Sequence, residues 1–135
     1  MADSAQPNLT RFDGFVPQRA AIDAYGNGGF RFAGMSHRGS LLVLPDGIHA
    51  WPLVSPAGAA DLSAPLQALL GRFEPPQFLL LGTGRKQIFP APHVRAAFGE
   101  RGIGLEAMDT GAACRTYNIL LAEQRPVMAA LVAVA

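Results

Sequence analysis

Two short segments of the chain carry groups that could bind a small anion. The first, Gly82-Thr83-Gly84-Arg85-Lys86, follows an apolar run and contains the only adjacent pair of Lys or Arg residues. The second, Asp109-Thr110, stands where a helix can begin, and a helix N-terminus offers free N–H groups and the positive end of the helix dipole. If the two segments meet, a small anion is the ligand expected there. The alternative is that the two glycines only permit a sharp turn after a buried strand.

The first segment does not match a known nucleotide-binding pattern. Gln87 stands where the dinucleotide fingerprint has its third glycine, no helix starts at once, and the Walker pattern is missing. Asn118, further along, is more readily explained by a hydrogen bond to neighbouring backbone than by a role in catalysis. The binding residues predicted for the crevice are Gly82, Thr83, Gly84, Arg85, Lys86, Asp109, Thr110, Arg115 and Asn118.

The single cysteine, Cys114, lies close to the start of the helix predicted after Asp109. A helix N-terminus can lower the pKa of a thiol, and this would let Cys114 act as a nucleophile. A free cysteine is, however, among the most commonly buried residues and usually behaves as a small hydrophobe. We therefore expect a buried, unreactive thiol, and one cysteine alone forms no internal disulfide.

The other reactive residue types form no catalytic or metal-binding pattern. The histidines, His37, His49 and His93, stand on different predicted elements without the spacing of a zinc site. Ser36, His37 and Asp46 could supply a hydroxyl, a base and an acid, but Gly-x-Ser-x-Gly is missing, so we interpret residues 36–39 as a polar loop before a strand. We predict no catalytic residue, no metal site and no cofactor, which favours a protein that is not an enzyme.

The first third of the chain is predicted to be antiparallel β structure. Residues 20–25 and 30–33 alternate around Gly26-Asn27-Gly28-Gly29, whose residues tolerate positive φ, and this indicates a hairpin. A second hairpin is indicated by the apolar run at 40–44, the turn residues Pro45-Asp46-Gly47 and a returning strand at 48–52.

The rest of the chain predicts the order β-α-β-α-β. A first helix at 63–72 would be capped by Ser63 with Pro65 in its first turn, and the apolar run at 78–81 is typical of a central strand. A helix from Pro92 to about 101, a strand at 103–109, a helix to about 124 and a last strand after Pro126 follow. Parallel strands at 77–81 and 103–108 would bring the two anion-binding segments to one edge. The fold class is α/β, with a mixed sheet and an additional antiparallel β layer.

One apolar residue of the helix after Asp109 is predicted to point away from the core. On a helical wheel, Ala113 and Tyr117 belong to the core stripe, whereas Ile119 lies on the opposite side. An apolar residue in that position implies either a second covering layer or a partner surface. Ile119 is therefore the predicted interaction residue.

Length, charge and composition restrict the function classes. The chain has 135 residues and a mass of 14.2 kDa, which suits one domain, predicted as a flexible arm at 1–19 and an α/β domain at 20–135. A net charge of +1 makes a nucleic-acid ligand unfavourable. The start matches neither a secretory signal nor a presequence, and the longest apolar run, 127–135, is too short to span a bilayer. We expect a cytoplasmic protein without a transmembrane segment.

Three ordered segments resemble a known family. They are Ser36–Gly47 leading to Trp51-Pro52, then Leu80–Gly84, and then Gly104 through Asp109-Thr110 and Ala113–Asn118 to Arg125. Together they are similar to the small domain family of bacterial and archaeal proteins of unknown function that includes mitochondrial respiratory complex I assembly factor 3. The resemblance implies a three-layer α/β fold with a mixed central sheet. It also implies a protein partner, such as another assembly factor or a respiratory complex subunit, and no catalytic residues.

Two functions are therefore considered. The first is a non-enzymatic interaction or assembly factor for a membrane-bound respiratory complex, which would place the chain at the periphery of the inner membrane. The alternative is a small-anion-binding protein or enzyme that uses the crevice at Gly82-Thr83-Gly84 and Asp109-Thr110. A homo-oligomer with outward apolar positions at a symmetric contact is compatible with either function.

Overall fold

The computed structural model describes residues 10–53, 55–74 and 77–135, apart from the side chains of residues 10, 11 and 77. The described strands are β1 (Thr10–Arg11), β2 (Phe15–Val16), β3 (Ile22–Gly26), β4 (Gly29–Phe32), β5 (Met35–Arg38), β6 (Ser40–Leu44), β7 (Gly47–Trp51), β8 (Gln77–Gly82), β9 (Ile103–Met108) and β10 (Met128–Leu131). The helices are α1 (Ala59–Gln67), α2 (Pro92–Glu100) and α3 (Thr110–Ala122).

The strands form two sheets. The larger sheet is mixed, with the order β2-β7-β6-β10-β8-β9. In it β8 is parallel to both β9 and β10, whereas β10 is antiparallel to β6. The smaller sheet has the order β1-β5-β4-β3, in which β3, β4 and β5 are antiparallel and β1 runs parallel to β5. The predicted α/β class with a mixed sheet and an added antiparallel layer is confirmed, and the direction of the last strand is now defined.

The two faces of the larger sheet contribute to two hydrophobic cores. Leu79 and Leu81 point to one face and pack in a core that includes Phe98 of α2 and residues of α1. Leu80 points to the other face and packs in a core with Tyr117 of α3 and residues of the smaller sheet. This alternation explains why β8 is apolar at every one of these positions: a central strand covered on both sides buries both sets of its side chains.

Both predicted hairpins are confirmed. The β3–β4 turn places Asn27 at φ 51° and Gly28 at φ 82°, which are conformations that Asn and Gly tolerate. In the β6–β7 turn, Gly47 has φ 143°, and a Cβ on it would lie 2.0 Å from the carbonyl oxygen of Val16. A side chain at position 47 would therefore prevent β2 from approaching β7.

The start of α1 differs from the prediction. The helix begins at Ala59 rather than at residue 63, and the Ser63 hydroxyl donates to the carbonyl of Ala59 instead of capping the helix. The Asp61 carboxylate accepts a hydrogen bond from the N–H of Ala57 at 2.8 Å, so a carboxylate in the first turn reaches back to the preceding loop. Pro65 consequently lies inside the helix, not in its first turn.

Strand β5 occupies the segment that was interpreted as a polar loop, and that interpretation is wrong. The strand alternates, because Met35 and His37 are half-buried whereas Ser36 and Arg38 are exposed. Its apolar signal is weak because only two residues face the core. Of the predicted arm at 1–19, residues 1–9 lie outside the described residues, and the remainder contains β1 and β2.

Candidate functional site

The two segments predicted to meet do lie against each other. Strands β8 and β9 are parallel neighbours, so Gly82 and Met108 end at the same edge of the sheet. Just beyond, the Gly84 N–H donates to the Thr110 hydroxyl at 2.9 Å, and the Thr110 N–H donates to the Gly84 carbonyl at 2.9 Å. This pair of hydrogen bonds joins the loop after β8 to the first turn of α3.

The Thr110 side chain also ties this edge to β10. Its hydroxyl is completely buried and donates to the Val132 carbonyl at 2.7 Å, while the Val132 N–H donates to the Gly82 carbonyl at 2.8 Å. The hydroxyl thus accepts one hydrogen bond and donates another. Because a hydroxyl has a single proton to donate, this one has none left for a ligand. We refer to Gly82, Thr83, Gly84, Thr110 and Val132 as the rim.

The Thr83 hydroxyl shapes the loop that follows. It accepts a hydrogen bond from the Ile88 N–H at 2.9 Å and donates to the carbonyl of Lys86, which turns the chain back on itself. The Thr83 N–H donates to the Met108 carbonyl at 2.9 Å and so continues the pairing of β8 with β9. Thr83 is buried, and both its hydroxyl and its N–H are hydrogen-bonded within the protein.

The N-terminus of α3 already faces a negative charge of the protein itself. Asp109 is the N-cap residue, and its carboxylate accepts a hydrogen bond from the Ala112 N–H at 2.9 Å. The Ala113 N–H donates to the Asp109 carbonyl. A carboxylate at this position stabilises the helix, because its negative charge lies beside the positive end of the helix dipole. An external anion at the helix end would have to compete with Asp109.

Gly82 is needed where it stands because the rim is tightly packed. A Cβ at this position would lie 3.0 Å from the Cα of Thr110 and 3.1 Å from both the Ala113 Cβ and a Leu131 methyl group. Backbone and core atoms surround it on several sides. The close approach of α3 to β8 therefore depends on a residue without a side chain.

The predicted cations lie outside the rim. Arg85 and Lys86 are exposed and line a cleft of about 350 Å³ together with residues 55–57 and 132–135. An Arg85 guanidinium N–H donates to the Ala135 carbonyl oxygen at 3.2 Å. Arg115 is exposed on α3. The charge of the predicted crevice is thus found on its outer border, beside a rim whose hydroxyls bond to the backbone.

Asn118 is not at this crevice. It lies nine positions after Asp109, which corresponds to about 13 Å along the helix. Its side-chain oxygen accepts from the Ile22 N–H at 2.8 Å, and its amide nitrogen donates to the Ile22 carbonyl at 2.9 Å. This arrangement agrees with the backbone interpretation and fastens α3 to β3.

The candidate nucleophile and the candidate triad are not arranged for catalysis. Cys114 is buried, and this burial raises its pKa from 9.0 to about 12 despite the nearby charge of Arg115, so the thiol stays protonated. Asp46 contacts His49 at 2.7 Å rather than His37. The imidazole of His37 instead hydrogen-bonds the Ser40 carbonyl at 3.0 Å. Within the described residues, no three His, Cys, Asp or Glu side chains come together as a metal site.

Two apolar side chains are strongly exposed on separate elements. Ile119, on α3, has 60% of its surface exposed, as the helical wheel indicated. Phe89, in the loop between β8 and α2, is 65% exposed. Phe89 was not predicted from the sequence, because a residue in an aperiodic loop has no pattern from which its burial can be inferred. The only available signal was an isolated Phe in a Pro-containing segment.

The sequence matches a protein-family model over residues 22–132, and that family is described as a protein of unknown function (DUF498/DUF598). The chain belongs to this family. The matched range includes every strand from β3 to β10 and all three helices. The rim and Ile119 therefore lie within the matched range.

Known relatives extend this assignment. An uncharacterized protein of Rhodobacter capsulatus is 38% identical over 125 residues, which is 93% of this chain and 90% of the relative. The mouse protein named NADH dehydrogenase [ubiquinone] 1 alpha subcomplex assembly factor 3 is 34% identical over 117 residues, 86% of this chain. The chain spans only 62% of that assembly factor's length. The resemblance to the family of assembly factor 3 is confirmed.

A solved structure supports the same fold. The crystal structure of a protein from Bartonella henselae, described as an outer membrane protein, is 45% identical and superposes with a TM-score of 0.70, covering 88% of this chain and 98% of that one. In the described part of the present chain, no helix has the length and apolar character required to cross a membrane.

Proposed function

We propose that this chain is a non-enzymatic interaction protein that acts as an accessory factor in the assembly of a membrane-bound respiratory complex. The observation that carries the proposal is the 34% identity with NADH dehydrogenase assembly factor 3 over 86% of the chain. Because the chain spans 62% of that relative, the proposal concerns the shared domain. A partner of such a domain is another protein, either an assembly factor or a subunit of the complex.

The exposed side chain of Ile119 supports a partner surface on α3. Ile119 lies in a well-packed helix whose opposite side is buried, so its exposure does not result from a loose segment. Burial of a fully exposed side chain of this size is worth roughly 1.5–3 kcal/mol, so removing the exposed 60% of Ile119 from water would contribute roughly 1–2 kcal/mol. The protonated Cys114 thiol supports a role without covalent catalysis.

The proposal is tested in the native host by deleting the gene and complementing it with the wild type or with Ile119→Asp. We expect the deletion to lower the amount of assembled NADH dehydrogenase on native gels, and the wild type to restore it. A photo-crosslinking residue at position 119 should attach to an assembly factor or a subunit, identified by mass spectrometry. Normal amounts of the complex in the deletion strain would refute the assembly role.

The Ile119→Asp variant needs a matched control. Phe89→Asp introduces the same charge at another exposed apolar position, on the loop before α2. The free energy of unfolding of both variants should lie within about 0.5 kcal/mol of the wild-type value, because surface substitutions away from caps, glycines and buried groups have small effects. If only Ile119→Asp loses the partner, the contact lies on α3. If both variants bind the partner as the wild type does, Ile119 is excluded from the contact.

A second candidate function, binding of a small anion, is supported by the cleft beside the rim. The cleft has a volume of about 350 Å³, and Arg85 and Lys86 line it. Because the rim hydroxyls and the Asp109 carboxylate are already hydrogen-bonded within the protein, the exposed cations and the loop backbone would bind such an anion. The cleft would therefore select for charge more than for shape.

This second candidate is tested by thermal unfolding with a panel of phosphates, nucleotides and carboxylates. A ligand at a hundredfold excess over its Kd should add about 2.7 kcal/mol of stability. The effect should disappear in Arg85→Gln/Lys86→Gln. A panel without any effect, or an effect that persists in that double variant, would refute binding at this cleft.

A further inference from the structure

The outward face of the smaller sheet carries two arginines above small residues. In β4, Phe30 and Phe32 are buried in the core, so the intervening Arg31 points to the opposite, solvent-facing side. In β5, Ser36 and Arg38 are the exposed members of the alternation. The strand register places Arg31 opposite Ser36, and Arg38 opposite Gly29.

The neighbours of these arginines leave space around the guanidinium groups. Across the other ladder, Arg31 faces Ala24, and Gly29 faces Gly26. Side chains at these positions are absent or short, and the result is a groove of about 400 Å³ on the sheet surface. Its lining includes Arg31, Ser36 and Arg38.

The positive charge in the groove is not neutralised by the described part of the protein. None of the described residues that line it is acidic. Neither arginine forms an ion pair with a described carboxylate, and the one hydrogen bond found for this pair runs from an Arg38 guanidinium N–H to the Asn27 carbonyl at 3.4 Å. The rim differs in this respect, because the hydroxyls of Thr83 and Thr110 are hydrogen-bonded to groups of the protein itself.

His37 contributes no charge to this face. Its ring packs edge-on against Phe12, with the ring centroids 5.0 Å apart, and hydrogen-bonds the Ser40 carbonyl. Burial lowers its pKa from the ordinary value of 6.5, so the ring is neutral at physiological pH. Among the described residues that line the groove, the charge therefore comes from the two guanidinium groups.

We propose that Arg31, Ser36 and Arg38 form a binding site for a phosphomonoester group on the outward face of the smaller sheet. Diagonal positions on neighbouring antiparallel strands are about 7–8 Å apart, close enough for two long side chains to reach one anion. Each guanidinium offers a fork of two parallel N–H groups. A phosphate with three free oxygens can accept from both forks and from the Ser36 hydroxyl, whereas the two oxygens of a carboxylate are occupied by one fork.

The site is tested on the whole chain by following backbone amide signals in NMR spectra during a titration with inorganic phosphate and then glycerol 3-phosphate, at constant ionic strength. We expect saturable shifts at Gly29, Arg31, Ser36 and Arg38. Each of the variants Arg31→Gln and Arg38→Gln should weaken binding about tenfold, and the double variant should abolish it. The matched control Arg95→Gln/Arg101→Gln removes the same charge at two exposed positions outside both the groove and the cleft, and it should leave the shifts unchanged.

A second arm separates a free phosphate from a lipid headgroup. Sedimentation with phosphatidylcholine vesicles, with and without phosphatidic acid, supplies the same phosphomonoester at a surface. The phosphate is assigned to a lipid headgroup if vesicle binding requires phosphatidic acid and is lost in Arg31→Gln/Arg38→Gln, while neither inorganic phosphate nor glycerol 3-phosphate binds. The proposal is overturned if neither source binds, if binding depends on Arg85 and Lys86 instead, or if a polyglutamate peptide binds the groove more tightly than either phosphate.

Discussion

Replacement of Thr110 with valine measures how much the rim contributes to stability. Valine has nearly the same shape, so the substitution removes the hydroxyl without opening a cavity. Two hydrogen bonds disappear: the one from the Gly84 N–H at 2.9 Å and the one to the Val132 carbonyl at 2.7 Å. Both partners belong to buried residues, and a buried polar group left without a partner costs about 1–3 kcal/mol. We expect Thr110→Val to lower the free energy of unfolding by about 2–4 kcal/mol.

The assay is urea unfolding of the whole chain followed by circular dichroism, with the free energy taken from the midpoint at a common slope. The amide of Gly84 should in addition exchange its hydrogen faster in the variant. Thr116→Val is the matched control, because among the described residues the Thr116 hydroxyl hydrogen-bonds only the Met108 sulfur, at 3.8 Å. Its effect should stay below about 0.5 kcal/mol. Equal effects of the two substitutions would refute the conclusion that the rim hydroxyl holds the strand ends together.

Two further predictions concern the packing and the protonation of the core. Gly82→Ala should destabilise the protein by about 1–3 kcal/mol, because the new methyl group meets the backbone of Thr110. Gly71→Ala is the control, because a methyl group there enters open space. Urea unfolding compares the two variants, and equal effects would contradict tight packing at the rim. Burial raises the pKa of Cys114 from 9.0 to about 12 and that of Tyr117 from 10.0 to about 12. The unfolded chain loses these protons first, so the free energy of unfolding should fall as the pH rises from 9 to 12. The fall should be smaller in Cys114→Ala, and a stability that is constant over this range in the wild type would contradict the buried thiol.

The elements that could be predicted are those with a strong local pattern. The turn residues Asn27 and Gly47 marked the hairpins because few residue types adopt positive φ without strain. Helix α2 was predicted within a residue of its observed ends because Pro92 can open a helix and Gly102 can end one. Strand β5 was missed because a strand with two half-buried and two exposed residues does not differ from a polar loop until its neighbours are known.

The candidate site was predictable in its position more than in its chemistry. Parallel strands end at the same edge, so the meeting of Thr83 with the start of α3 followed from element order alone. Whether the Thr110 hydroxyl at that edge faces a ligand or the protein depends on where β10 and the residue after it, Val132, come to lie. The Val132 carbonyl takes the Thr110 hydrogen, although the two residues are 22 positions apart.

The sequence by itself determined the α/β class, the hairpins, the order of helices and strands, and the outward position of Ile119, since turn chemistry and periodicity act over a few residues. Only the tertiary structure decided which polar groups form hydrogen bonds within the protein and which remain exposed to solvent. In that structure Thr110 is hydrogen-bonded to Val132 and Asn118 to Ile22, whereas Arg31 and Arg38 lie at diagonal positions on an outer face. The physical reason is that a hydrogen bond or a groove depends on distances between residues far apart in the chain, which no local pattern of residue types encodes.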